Sequence, residues 1–197
     1  MLKRTFDFVL ALFGVLLLSP MLLLVALLIK RDSPGPVFFR QERIGRHGKP
    51  FRIHKFRTMT VAQPGAAMQI TVGNDSRITE IGTFLRHYKI DELPQLIDVL
   101  QGSMSLVGPR PEVPKYVALY PEPTKSIVLS VRPGITDLAS IEYRSESELL
   151  GKSSNPEQTY VEEVMPAKLA YCVQYVQQQS VWLDIQIIVR TFLAILK

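Results

Sequence analysis

Asp91 and Glu92 stand side by side within residues 83–102, and they are the pair in this chain best suited to chemistry. Adjacent carboxylates raise one another's pKa and can divide nucleophilic and acid/base roles. Taken alone, an acid at this place is more often a helix N-cap. Pro94 is tolerated only in the first turn of a helix, so the helix restarts at Asp91, with Leu93, Leu96, Ile97 and Leu100 on one face and Gly102 as its stop. That placement puts both acids at a helix N-terminus, which favours anions. Just beyond, Gly108-Pro109-Arg110-Pro111 is a rigid turn that presents one guanidinium, a group suited to phosphate. Lys55 and Arg57, beside Phe56 and Thr58-Met59, are two further candidates for a phosphate. Paired carboxylates among cations point to phosphoryl chemistry.

The segments that must hold these residues begin with an apolar run over residues 8–29, interrupted by Gly14 and Ser19-Pro20. It is long enough to span a bilayer. Lys30-Arg31 follows it in place of a cleavage site, which argues against a signal peptide. Lys3-Arg4 and Lys30-Arg31 flank it, and the positive-inside rule then places both ends in the cytoplasm. Each arm, about 12 residues and roughly 18 Å, reaches into a ~30 Å core without crossing it. Ser19 and Pro20 would form the buried bend of a re-entrant hairpin; a kinked spanning helix fits the residues almost as well. Arg4 and Asp7, at i,i+3, are placed to pair at the interface.

Residues 37–39 and 51–56 read as short strands around a turn at 45–50, crowded by Arg40, Arg43, Arg46, Lys49 and Arg52. Most of these cations suit a solvated face near anionic lipid. Nucleic acid is a poorer fit, because aromatics placed for stacking are missing and a membrane segment lies adjacent. Residues 61–73 read as a linker, 113–120 and 158–177 as helices (the second with a break at Pro166), and 183–196 as an amphipathic helix with Trp182 at an interface. The fold expected is mainly α with a small β-hairpin: a membrane hairpin over 1–33 joined to a compact cytosolic α/β-type catalytic unit over 34–197, carrying amphipathic interfacial helices.

A chain of 197 residues is one domain of ordinary size. Its one cysteine, Cys172, excludes a disulfide framework, and its three histidines lack zinc-ligand spacing. A net charge of +5 suits anionic partners such as lipid headgroups or nucleotides.

In order and spacing, Lys3-Arg4-x-x-Asp7, Ser19-Pro20, Gln41-x-Arg43-x-Gly45, Lys55-Phe56-Arg57-Thr58-Met59, Asp75-x-Arg77-Ile78-Thr79, Asp91-Glu92-Leu93-Pro94-Gln95-Leu96, Gly108-Pro109-Arg110-Pro111, Arg132-Pro133-Gly134-Ile135-Thr136 and Leu183-Asp184 resemble the bacterial sugar transferases, or monotopic phosphoglycosyl transferases. The chain looks like the minimal catalytic core of that family, without the extra spanning helices of longer members. The resemblance implies transfer of a sugar 1-phosphate from a UDP-sugar to polyprenyl phosphate in the cytoplasmic leaflet of the bacterial plasma membrane, with UMP released. It implies Asp91 as a nucleophile that forms a covalent phosphosugar intermediate, Glu92 as acid/base, and Mg²⁺ at this pair. It implies that Arg86, Arg110 and Arg144 line the site, that Asp184 is a further acidic position, and that the entry segment is re-entrant; a homo-oligomer is left open. The commoner family pattern has Gly where Asp137 stands, and the segment from there to Arg144 is where donor choice is expected to lie. A peripheral anchor without activity and a transferase using another nucleotide are the competing readings; an anchor gains nothing from two acids beside its basic surface.

Overall fold

The computed structural model describes residues 2–60 and 75–195; the expected linker at 61–73 lies outside them. Its dominant element is α1, Leu2–Asp32, a helix of 31 residues long and apolar enough to cross a membrane. Two arms joined by a bend were expected, but the helix runs unbroken through Pro20. The local chemistry explains why. Proline removes the N–H that would bond the Leu16 carbonyl, and the Ser19 hydroxyl donates to that carbonyl instead, at 2.8 Å. One face of α1 packs on the rest of the chain from end to end, through Asp7, Ala11, Val25 and Ile29. Gly14 lies on that face, where an added Cβ would come within 3.3 Å of Leu96. The opposite face leaves Phe13, Leu16, Leu17, Leu23 and Leu24 exposed.

After α1, β1 (Phe38–Phe39) pairs antiparallel with β4 (Lys55–Phe56), and β2 (Glu42–Ile44) with β3 (Pro50–Arg52). The expected strands are therefore present as one two-stage hairpin. Its 3₁₀ turn at Arg46–Gly48 holds His47 at φ 58° and Gly48 at φ 73°. Next come α2 (Glu80–His87), N-capped by Thr79, and α3 (Gln95–Gln101), closed by Gly102 at φ 87°. β5 (Ser105–Val107) pairs in parallel with β6 (Gly134–Thr136), where only turns were read. That pairing depends on two glycines: a Cβ on Gly134 would lie 2.1 Å from the Gly108 nitrogen, and one on Gly108 2.5 Å from the Arg132 carbonyl.

Short helices α4 (Pro114–Val117), α5 (Thr124–Val128), α6 (Leu138–Glu142), α7 (Glu146–Gly151) and α8 (Pro156–Thr159) surround α9 (Met165–Gln178). Their core includes Tyr116, Tyr160, Leu150, Leu169 and Cys172. The interruption expected at Pro166 is absorbed by a π-helical turn, Tyr160–Val164, just ahead of it. The last element, α10 (Val181–Ile195), buries Asp184 and Ile187 and exposes Trp182, Val189, Phe192 and Leu193, the amphipathic pattern expected.

Both ends of α1 are clamped to this body by buried polar contacts. At the start, Lys3 Nζ lies 2.6 Å from Asp184 Oδ2 and 3.1 Å from the Val107 carbonyl. Asp7 accepts from the Ser105 hydroxyl at 2.8 Å and from the Leu106 N–H at 3.3 Å. The expected Arg4–Asp7 pair is corrected here: Lys3 is the cation near Asp7, at 3.7 Å, while Arg4 donates to the Val99 and Leu100 carbonyls at the end of α3. At the far end, Arg57 donates to the Ser33, Ile29 and Pro36 carbonyls and to the Ser33 hydroxyl. Asp184, fully buried, also accepts from the Tyr175 hydroxyl at 2.7 Å. Its removal takes the carboxylate partner from Lys3 and Tyr175 and leaves both to the Val107 carbonyl. Asp184→Ala is expected to cost about 3 kcal/mol of stability, read as a lower unfolding midpoint in detergent micelles.

Candidate active site

Three elements meet at the acid pair: a 3₁₀ turn, β4 and the turn after β5. Asp91 and Glu92 lie in a 3₁₀ turn, Ile90–Glu92, opened by Lys89 in the left-handed conformation at φ 56°. The chain therefore breaks between α2 and α3 close to where the sequence placed the break, but α3 starts only at Gln95. Pro94 holds its N-cap position, so Asp91 is not its cap. The charge balance comes from side-chain cations. Lys55, from β4, puts Nζ 3.0 Å from Asp91 Oδ2 and 3.0 Å from Glu92 Oε1. Arg110, from the turn after β5, forks onto both Glu92 oxygens at 2.6 and 3.2 Å. Both acids are buried, and Asp91 Oδ1 has no hydrogen-bond partner among the described residues.

Adjacent acids were expected to raise each other's pKa, and for Glu92 the opposite holds. Burial pushes its carboxyl up, but Arg110 and Lys55 outweigh that and hold it well below the ordinary glutamate range. Glu92 reciprocally raises Arg110. Lys89 is pushed down, by burial first, although Glu92 and Asp91 favour its charge. The resting site therefore holds an ionised glutamate gripped by two cations, beside an aspartate with one free oxygen.

The remaining expected site residues separate into two groups. Lys55, Arg57, Arg86, Arg110 and Arg144 all line one cavity of ≈ 1380 Å³ that includes the acid pair. Arg57 is part of its wall, with its guanidinium engaged by the end of α1. Arg144 donates to the Ala194 carbonyl near the end of α10. Asp184 is not among the lining residues, and its contacts with Lys3 and Tyr175 make it a structural group. Sequence reading missed Lys89, whose place beside Asp91 depends on a left-handed turn that no local motif announces. It also left the role of Asp137 open. That side chain caps α6 through the Ser140 N–H at 2.6 Å and accepts from the Arg110 N–H at 3.1 Å, tying the Arg110 turn to α6.

The chain matches the bacterial sugar transferase family along residues 1–197. It is 41% identical over 194 residues to the UDP-glucose:undecaprenyl-phosphate glucose-1-phosphate transferase of Escherichia coli (strain K12), covering 97% of this chain and 39% of that protein. It is 36% identical over 197 residues to the UDP-N-acetylgalactosamine-undecaprenyl-phosphate N-acetylgalactosaminephosphotransferase of Aeromonas hydrophila, covering 99% of this chain and 44% of that one. It is also 42% identical over 196 residues to the exopolysaccharide production protein PSS of Rhizobium leguminosarum bv. phaseoli, covering 96% and 92% respectively. The chain thus spans about two fifths of the length of the first two and nearly all of the third.

The depressed Glu92 pKa makes a signed prediction. A carboxylate held low in the fold contributes stability above its unfolded value, near 4.5, and that contribution is lost as pH falls through the folded value. Arg110→Gln narrows the gap between the two values. Denaturant unfolding measured below pH 4.5 should therefore show a shallower loss of stability with acid in Arg110→Gln than in the unsubstituted chain.

Proposed function

The chain belongs to the bacterial sugar transferase family, and from that premise we propose that it moves a sugar 1-phosphate from a UDP-sugar to undecaprenyl phosphate, releasing UMP. The observation that carries the proposal is the composition of one cavity. Its floor holds Asp91, Glu92, Lys55 and Arg110, while Leu10, Phe13 and Leu18 of α1 and Phe192 of α10 form apolar wall. A nucleoside diphosphate needs the cations, and a prenyl chain needs the apolar side. Glucose in one relative's name and N-acetylgalactosamine in another's leave the donor sugar open.

In this reading an Asp91 oxygen attacks the β-phosphorus of the donor. The bond from that phosphorus to the oxygen shared with the α-phosphate breaks, and UMP leaves with the electron pair. The acyl phosphate formed on Asp91 is then attacked by an oxygen of the acceptor phosphate, which frees the carboxylate. Lys55 and Arg110 balance the charge on the transferring phosphoryl oxygens. Glu92, held ionised, positions those two cations and is available as a base; it is not a proton donor in this state.

Mg²⁺ fits the pair. No group of three or more possible ligands is assembled among the described residues, and Mg²⁺ commonly takes one or two carboxylates with substrate phosphates. The unpartnered Asp91 Oδ1 is the oxygen placed to hold it, because Lys55 and Arg110 engage Glu92. When bound, the ion would neutralise diphosphate charge.

The membrane topology follows the same body. Lys3, Arg4 and Asp7 at one end of α1 and Ile29 and Ser33 at the other touch one globular unit. These contacts support a reading in which both ends lie on one side of the membrane, and the flanking cations favour the cytoplasmic side. The apolar outer face of α1 enters the lipid without carrying the chain across, and the exposed face of α10 lies at the interface.

The test is reconstituted chain with undecaprenyl phosphate, Mg²⁺ and a panel of UDP-sugars, following UMP and the lipid product. One UDP-sugar should give both products. Asp91→Asn should lower turnover by about a thousandfold or more, and Arg110→Lys, a point charge without the fork, by about a hundredfold. UMP formation unaffected by Asp91→Asn would refute the assignment.

A further inference from the structure

Arg40 and Arg52 face each other across the hairpin, and each is tied to the other's main chain. Arg40 Nη2 donates to the Arg52 carbonyl at 2.8 Å, and Arg52 Nη2 donates to the Arg40 carbonyl at 3.2 Å. Arg40 Nη1 also lies 2.6 Å from His54 Nε2. A guanidinium only donates, so Nε2 accepts and Nδ1 carries the ring proton. That Nδ1 lies 2.8 Å from Asp98 Oδ1, while Asp98 Oδ2 accepts the His54 backbone N–H at 2.8 Å. Asp98 is buried in α3. Phe38 meets the imidazole edge-on, with centroids 6.1 Å apart.

This differs from ordinary surface arginine. An exposed guanidinium normally keeps its rotamer freedom, because fixing it costs about 2 kcal/mol. Here Arg40 is fixed through His54 to a buried carboxylate. Two guanidiniums held close together repel, and an anion between them relieves that repulsion. No carboxylate among the described residues forms an ion pair with either arginine. Glu42, the cross-strand partner of Arg52, is not paired with it.

The place is informative as well. Arg40 and Arg52 line the same cavity as the acid pair. The adjacent ladder position pairs Phe39 with Lys55, the residue that grips Asp91 and Glu92. Phe38 and Phe39 are exposed beside the arginines, and the apolar residues of α1 line the same cavity. The pair thus combines two fixed cations with an adjoining apolar surface.

We propose that Arg40 and Arg52, positioned by His54 and Asp98, form a landing site for the phosphate monoester of the lipid acceptor, separate from the reacting position at Asp91. The proposal rests on the transfer reading above for the acceptor's identity. A monoester carries nearly two negative charges at neutral pH and matches two guanidiniums. A phospholipid diester carries one on its phosphate and matches them less well. The acceptor can then be held at the cavity wall while Asp91 is occupied by the donor phosphoryl group.

The test needs no turnover. Full-length protein in detergent is titrated, without donor, with undecaprenyl phosphate, undecaprenol and phosphatidylglycerol, and bound lipid is counted by native mass spectrometry. The unsubstituted chain should prefer the monophosphate over both others. Arg40→Gln/Arg52→Gln should weaken monophosphate binding about tenfold and leave undecaprenol binding unchanged. Arg40→Lys/Arg52→Lys, which keeps the charge without the fork, should fall between and controls for folding. His54→Phe should weaken monophosphate binding about threefold alone and have no further effect once Arg40 is Gln, the non-additivity expected of a positioning residue. A glutamine double variant that keeps the unsubstituted preference, or phosphatidylglycerol binding as tightly as the monophosphate, would overturn the proposal. Monophosphate binding at the clamp in a chain that transfers no sugar phosphate would refute the transfer reading alone.

Discussion

The contact on which this structure depends is Glu92 held between Lys55 and Arg110. A carboxylate taken out of water costs several kcal/mol unless cations and hydrogen bonds replace its hydration. Here the replacements come from distant parts of the chain: Lys55 from the hairpin and Arg110 from the turn after β5. Forming the pair therefore draws the hairpin, the 3₁₀ turn and the parallel β5–β6 unit together. The same contact sets the chemistry. Glu92 binds both cations, and Asp91, sharing only Lys55, keeps a buried oxygen without a hydrogen-bond partner among the described residues.

The second constraint is the docking of α1. A long apolar helix with a proline at its middle has several possible topologies, and its own composition does not choose among them. What the fold adds is polar contact at both of its ends. Lys3 and Asp7 enter a buried cluster with Asp184, Tyr175 and Ser105, while Arg57 closes the opposite end on the Ser33 carbonyl. These polar locks hold the helix against the catalytic body and bring its apolar side chains to the edge of the cavity. Asp184 and Arg57 thereby act on the site through the position of α1, without contact with the acid pair.

Much of this was legible in the residues, for identifiable reasons. The strands around residues 45–50, the stop at Gly102 and the amphipathic last helix follow from local periodicity and turn chemistry. The acid pair, Lys55 and Arg110 follow from which side chains suit a phosphate. Long-range closure was not legible. The β5–β6 pairing joins segments far apart in sequence and is signalled only by glycines that also read as turns. Arg57 and Asp184 have the right charge for a substrate, and only the fold shows those charges satisfied elsewhere. The direction of the Glu92 shift was misjudged because neighbouring acids suggest repulsion, whereas two cations reach this one from outside its own segment.

In the transfer reading proposed above, Asp91 carries the phosphosugar on its carboxylate. The most direct measurement is intact protein mass after incubation with the accepted UDP-sugar and Mg²⁺, with no acceptor present. A gain of one sugar phosphate is expected, matched by an equivalent of UMP and absent in Asp91→Asn. Unsubstituted protein that never gains this mass, with UMP appearing only once the lipid acceptor is added, would mean direct transfer and would contradict a covalent role for Asp91.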